Sequence, residues 1–224
     1  VEGIIERVIN ITEKDILEVF GDSGSGKTAF ALEMLKEAIS KKMKIVFIDT
    51  ERNVLQKEIE AMGQADLKWI YAPSLEDMEK AIRGVIESRE RYDVFIVDSI
   101  GLPILGWFAG LKLNEKGNAL LKMQQLLYMI KDYAYKNGVA VLVTNQPESR
   151  WMKPEEHDLQ PFGDKGQFFV KEIWKSYKRI SNPTRTVCEF VAWRSRCWGK
   201  GRKILTLEIF EEDGVKEVIV KWEV

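Results

Sequence analysis

The 224-residue chain contains a single histidine, His157, and only two cysteines, Cys188 and Cys197. Two thiols without zinc-ligand spacing provide neither a disulfide framework nor a structural metal site. His157 stands in an acidic stretch with no sequence partner for a nucleophilic triad, so it reads as a solvated loop residue. Long apolar runs are missing too. The longest, 100–113, is interrupted by glycines and Lys112 and is too short to span a bilayer. Neither end pairs a charged segment with an apolar one, and the expectation is a cytoplasmic protein with reduced thiols. An excess of one charge is also absent, the net being −1, but the distribution is uneven. From Lys171 to Lys203 ten lysines and arginines face two acids, a net +8 that leaves −9 for the remainder. A basic region on an acidic body attracts phosphate locally, although solvated strand faces and turns are lysine-rich as well.

Against these absences one motif is complete. Gly21, Asp22, Ser23, Gly24, Ser25, Gly26, Lys27 and Thr28 satisfy G-x-x-x-x-G-K-[ST] after the apolar run Ile16 to Phe20 and before a helix-forming stretch. Glycines let backbone N–H groups turn inward around phosphate oxygens, and the helix starting near Lys27 adds the positive end of its dipole. Lys27 is expected on the β- and γ-phosphates of ATP and the Thr28 hydroxyl on Mg²⁺.

Strands alternate with helices along the chain. Strands are expected at Ile16 to Phe20, Lys44 to Asp49, Leu67 to Tyr71, Tyr92 to Val97 and Val139 to Thr144. Helices are expected from Lys27 to about Lys41, Val54 to Met62, Ser74 to about Arg89 and Asn118 to Asn137. Ser74-Leu-Glu-Asp77 reads as a capping box. A short helix is expected over Gln167 to Trp174. Antiparallel strands follow at Lys175 to Ile180, Arg185 to Trp193, Lys203 to Phe210 and Val215 to Trp222. The pattern is a parallel α/β core extended by an antiparallel edge, and the length suits one domain over 1–224.

Carboxylates at strand ends supply the remaining chemistry. Asp98 closes the apolar run from Val94 and lies where a Walker B aspartate holds Mg²⁺ through water. Glu51 follows Asp49-Thr50 at another strand end and is the candidate base that orients water, with Asp49 as its competitor.

Gly21–Thr28, Phe-Ile-Asp-Thr-Glu51, Ile-Val-Asp98-Ser99 and Val-Thr-Asn145-Gln146 together resemble the RecA/RadA recombinase superfamily. The similarity is greatest to the short archaeal RadB-like and RadC-like paralogues made of the ATPase core alone. The resemblance implies a RecA-like P-loop NTPase fold, with a mostly parallel central sheet, helices on both faces, an antiparallel C-terminal extension and no N-terminal helical domain. It makes Glu51 the catalytic base and Gln146 the residue that senses the γ-phosphate. It implies Mg-dependent ATP hydrolysis and an accessory role in DNA repair or homologous recombination. Single-stranded DNA and a recombinase or other repair protein are the implied partners, with an oligomer possible.

By the same resemblance, 101–117 and 148–166 match the two DNA-binding loops of recombinases. Here the first is apolar and the second mixes both charges, a departure from the family. Trp107, Phe108 and Trp151 fit three readings: platforms for stacked bases, an interface patch, or core. Arg194 and Arg196 match the strand end that reaches a neighbouring subunit's nucleotide in related ATPases. With Lys200 and Arg202 they are also candidates for DNA contact. The apolar first loop and the net negative charge leave an alternative, a KaiC-like regulatory ATPase that acts through a protein partner without touching DNA.

Overall fold

The computed structural model describes residues 3–12, 15–52, 66–104, 116–146, 170–212 and 215–223. A nine-stranded sheet in the order β3-β2-β4-β5-β1-β6-β7-β8-β9 organises them. Its strands are β1 (Ile16–Gly21), β2 (Ile45–Asp49), β3 (Leu67–Tyr71), β4 (Val94–Asp98), β5 (Ala140–Asn145), β6 (Glu172–Ser181), β7 (Arg185–Arg194), β8 (Lys203–Glu212) and β9 (Val215–Trp222). The helices are α1 (Ile4–Thr12), α2 (Lys27–Ser40), α3 (Leu75–Glu87) and α4 (Lys116–Asn137).

The first six strands in chain order are mutually parallel, and β7 to β9 form an antiparallel meander. Every residue of β1, β2, β4 and β5 is buried, because successive side chains alternate between two covered faces. Ile16, Phe20, Val46, Ile48, Phe95, Val97, Val141 and Val143 pack beneath α3 and α4. Leu17, Val19, Ile45, Phe47, Ile96 and Leu142 pack beneath α1 and α2, and Trp174 and Phe190 extend that layer under the meander. The expectation of helices on both faces of a mostly parallel sheet is met.

Three sequence expectations are corrected. Residues Glu172 to Trp174 belong to β6 rather than to a helix, since their alternation between the two cores matches a strand and their backbone pairs with β1. β6 is parallel to β1, so the antiparallel extension begins one strand later than expected. α1 was not expected at all. It buries Ile4, Ile5 and Val8 against α2, whose Glu37 carboxylate accepts the N–H groups of Ile4 at 2.5 Å and Ile5 at 3.3 Å. The expected helix at 54–62, most of the first candidate loop and all of the second lie outside the described residues.

Candidate functional site

The six parallel strands β1 to β6 point their carboxyl ends toward one edge of the sheet, and the phosphate loop leaves β1 there. Gly24 and Gly26 adopt positive φ, +73° and +91°, which an L side chain resists. Space is short as well: a Cβ on Gly26 would lie 3.0 Å from both Cβ and Sγ of Cys188 on β7. The loop thus rests on the meander. Ser25 Oγ bonds Ser176 Oγ of β6 at 2.7 Å and fastens its other side.

Lys27 opens α2 and turns back across the loop, donating to the carbonyls of Gly21 at 2.7 Å and Asp22 at 2.9 Å. Burial holds its ammonium below the ordinary lysine range, opposed by the charges of Asp98, Glu51 and Asp22. Thr28 Oγ1 donates to Asp98 Oδ2 at 2.8 Å. Asp98 does not come from a strand beside β1, because β5 runs between β4 and β1. Thr144, near the end of that intervening strand, donates its hydroxyl to Asp98 Oδ1. Burial pushes the Asp98 carboxyl up to about 6, against the two threonine hydrogen bonds that favour its charge.

Glu51 and Asp49 separate cleanly. Asp49 is fully buried, and its Oδ1 accepts the N–H groups of Glu51 at 3.0 Å and Arg52 at 2.8 Å, so it shapes the turn that presents Glu51. Ser99 Oγ donates to Glu51 Oε1 at 2.8 Å, and Gln146 Nε2 lies 3.4 Å from the same oxygen. The Asp98–Ser99 peptide bond is cis, and the Ser99 N–H and carbonyl both bond Thr50 Oγ1. Lys27, Thr28, Asp98, Glu51 and Gln146, read separately from sequence, therefore converge on one edge.

Thr144, Ser99 and Ser176 are the neighbours that sequence reading missed. Thr144 and Ser99 lie inside quoted motifs, but nothing in a linear motif says which hydroxyl faces which carboxylate.

The basic residues lie elsewhere. Arg194 pairs across the sheet with Ile173, which pairs with Glu18 in the middle of β1. Arg196 Nη2 is 3.8 Å from Asp15 Oδ2. Asp15 precedes β1, and six extended residues at about 3.3 Å each put it roughly 20 Å from Gly21. Lys200 Nζ stacks 3.9 Å from the Trp193 ring centroid, and Arg194, Arg196, Lys200 and Arg202 are all exposed. At roughly 20 Å Arg196 cannot serve its own chain's phosphate loop, whereas Lys200 stands over Trp193, whose ring packs 5.5 Å from that of Phe20 near the carboxyl end of β1. Trp107, Trp151 and His157 lie outside the described residues.

The donor set fits Mg²⁺ with ATP. A hydroxyl and a carboxylate are hard oxygen ligands, and no group of three or more His, Cys, Asp or Glu gathers among the described residues. A Mg²⁺ site of that kind takes its remaining ligands from water and substrate phosphate. Among the described residues no helix is long and apolar enough to cross a membrane.

Comparison with known proteins agrees with the geometry. Residues 14–117 match the family model described as an AAA domain. The DNA repair and recombination protein RadB of Thermoplasma volcanium is 30% identical over 171 residues, covering 74% of this chain and 68% of that protein. The protein of the same name from Methanococcoides burtonii is 26% identical over 198 residues, 78% of this chain and 84% of its own length. A crystal structure of the RadB recombinase superposes with a TM-score of 0.63 over 92% of this chain and 91% of that one. At 18% identity this is a likeness of fold alone. Loop, carboxylates and glutamine thus sit on a RecA-like α/β fold and within RadB-related sequence, and the chain belongs to the RadB family of the RecA/RadA recombinase superfamily.

Proposed function

We propose that this chain binds ATP with Mg²⁺ at the edge formed by β1, β2, β4 and β5, hydrolyses it, and acts as an accessory factor in DNA repair or recombination. The observation that carries the reading is the convergence of a phosphate-loop lysine, a Thr28–Asp98 pair and a Glu51–Gln146 pair on one sheet edge. When bound, Mg²⁺ screens phosphate charge and favours ionised Asp98 over the protonated form that burial promotes. Lys27 holds the β- and γ-phosphates at the turn shaped by Gly24 and Gly26. Glu51, presented by the Asp49 turn and aimed by Ser99, accepts a proton from the attacking water. Gln146 donates its amide to a γ-phosphate oxygen. The family names support the DNA role, since the RadB relatives are called repair and recombination proteins. The reading takes 1–224 as a single RecA-like domain.

A second reading has its own motive. The apolar 101–111 stretch and the acidic body suit a regulatory ATPase that acts on a protein partner and ignores DNA. Steady-state Mg-dependent hydrolysis by the parent, Lys27→Ala and Glu51→Gln, each with and without single-stranded DNA at low salt, tests both. Lys27→Ala is expected to lose nucleotide affinity. Glu51→Gln is expected to keep it and lose turnover by about a hundredfold or more, the scale of a positioned base. Unchanged turnover in both variants would remove the ATPase reading. Turnover indifferent to DNA, with no salt-dependent DNA affinity, would favour the regulatory one.

A further inference from the structure

Glu18 is an acid in the middle of a strand whose every residue is buried, and it is itself only 2% exposed. A carboxylate there costs several kcal/mol in solvation unless it is well hydrogen-bonded, so its position calls for a partner. Asn145 Nδ2 donates to Glu18 Oε1 at 2.9 Å. Asn145 is equally buried and ends β5, immediately before Gln146. Its other atom is occupied too: Asn145 Oδ1 accepts the Gln146 N–H at 3.0 Å. That oxygen also fills the space beside Gly101, where a Cβ would lie 2.0 Å away. One residue earlier in each segment, the Ile100 N–H donates to the Thr144 carbonyl at 2.9 Å.

The Asn145 amide is therefore gripped at both ends. On one side stands a buried carboxylate. On the other stand the first residue after β5 and a glycine just after β4, which are the roots of two of the long connections at this edge.

We propose that Glu18 is a positioning residue for the candidate site. By fixing the Asn145 amide it locks the roots of both connections together and sets where Gln146 stands relative to Glu51. The functional half of this inference rests on the reading of Gln146 as the γ-phosphate contact; the locking half does not. An amide bridging two segments has only one orientation that satisfies a carboxylate on one edge and a backbone N–H on the other. A neutral or apolar residue at position 18 leaves that orientation unspecified. This also gives Gly101 a reason: any side chain there displaces the amide.

Three variants and one pair test it. Asn145→Asp sets a second carboxylate against Glu18, and Gly101→Ala displaces the amide without altering either partner. Glu18→Gln removes the charge at constant volume. The double variant E18Q/N145D exchanges donor and acceptor and keeps one carboxylate between them.

In nucleotide-free protein, N145D and G101A are expected to speed amide hydrogen exchange by about tenfold or more at 99–101 and at 145–146 together. E18Q/N145D should recover most of that protection. ADP affinity should stay within about twofold of the parent in all variants, while ATPγS affinity falls about tenfold in N145D and returns in the pair. Exchange that changes at neither segment or at only one, or a pair no better protected than N145D, overturns the proposal. So does an equal loss of ADP and ATPγS affinity, which is what general loosening produces. If Lys27→Ala leaves both affinities intact, the nucleotide reading fails instead, and the exchange pattern still decides the role of Glu18.

Discussion

Cys188 is the residue on which the phosphate loop sits, with Sγ 4.0 Å from the Gly24 carbonyl. Burial pushes its thiol up to about 11, and the charges of Lys178 and Lys27 only partly oppose this. At pH 8 its thiolate fraction is lower by a factor of roughly 100 or more than that of an exposed thiol of ordinary pKa. Iodoacetamide is therefore expected to label the exposed Cys197 long before Cys188, as followed by peptide mass spectrometry. Equal labelling would mean that the loop leaves β7 readily.

Glu172 makes a second residue-scale case. Its carboxylate is buried beside Trp174, whose Nε1 donates to it at 2.7 Å. Burial raises its pKa above the ordinary 4.5, opposed by hydrogen bonds from Trp174, Ser195 and the Arg196 N–H. A carboxyl whose folded pKa is raised binds its proton more readily when folded. Its contribution to stability is then present at low pH and is lost as pH rises from 4.5 through the folded value. Glu172→Gln keeps the acceptor without the charge. Urea unfolding should show the variant gaining on the parent as pH is raised toward neutrality, whereas parallel stability curves would contradict the burial argument.

At the scale of elements, α1 is the informative one. A nine-residue helix is marginal alone, so it depends on the apolar face it lays on α2 and on the Glu37 carboxylate at its first amides. Glu37 also binds Lys41 at 2.8 Å, within an exposed cluster that includes Glu6. Glu37→Ala is expected to cost about 1 kcal/mol, the ordinary value of a lost N-terminal cap. It should also release α1 amides to exchange before the rest of the protein unfolds; unchanged α1 protection would show that packing alone holds the helix. α3 uses a cap within its own sequence. Ser74 Oγ accepts the Asp77 N–H at 3.1 Å and donates to the Asp77 carboxylate at 2.6 Å, so the second half of the box closes on the hydroxyl rather than on the Ser74 N–H.

At the scale of the whole molecule the basic segment is split, with Lys178 Nζ standing 3.4 Å from where a Cβ on Gly24 would lie. The phosphate loop and its carboxylates occupy one end of the parallel strands, Arg194 stands level with the middle of β1, and Arg196 lies toward the other end, about 20 Å away. From that end Arg196 can reach a nucleotide only on another copy of the chain. Lys27→Ala and the double variant R194A/R196A should then each be inactive alone, and mixtures of the two should recover ATP hydrolysis. Mixtures that stay inactive while the arginine variant keeps parental turnover would remove the inter-subunit role and leave these residues to DNA. In that case single-stranded DNA affinity should fall, with a shallower salt dependence, on their neutralisation.

Sequence alone determined what depends on local pattern. G-x-x-x-x-G-K-[ST] between an apolar run and a helix, Asp98 and Glu51 at strand ends, and Ser74 three residues before Asp77 are signals carried within a few residues. Each was legible because the interaction it encodes is short-range or because its motif is complete. The alternation of apolar runs likewise disclosed a two-faced parallel sheet. Tertiary structure decided whatever depends on which strands become neighbours. No pattern within 140–145 indicates that β5 lies between β4 and β1, so the Thr144 contact with Asp98 was invisible. Nor does any pattern within 172–181 distinguish a strand parallel to β1 from one antiparallel to it, since both alternate with period two. Glu18 was visible as an acid in an apolar run, but its partner is 127 residues away, and the choice of Asn145 was made by strand order.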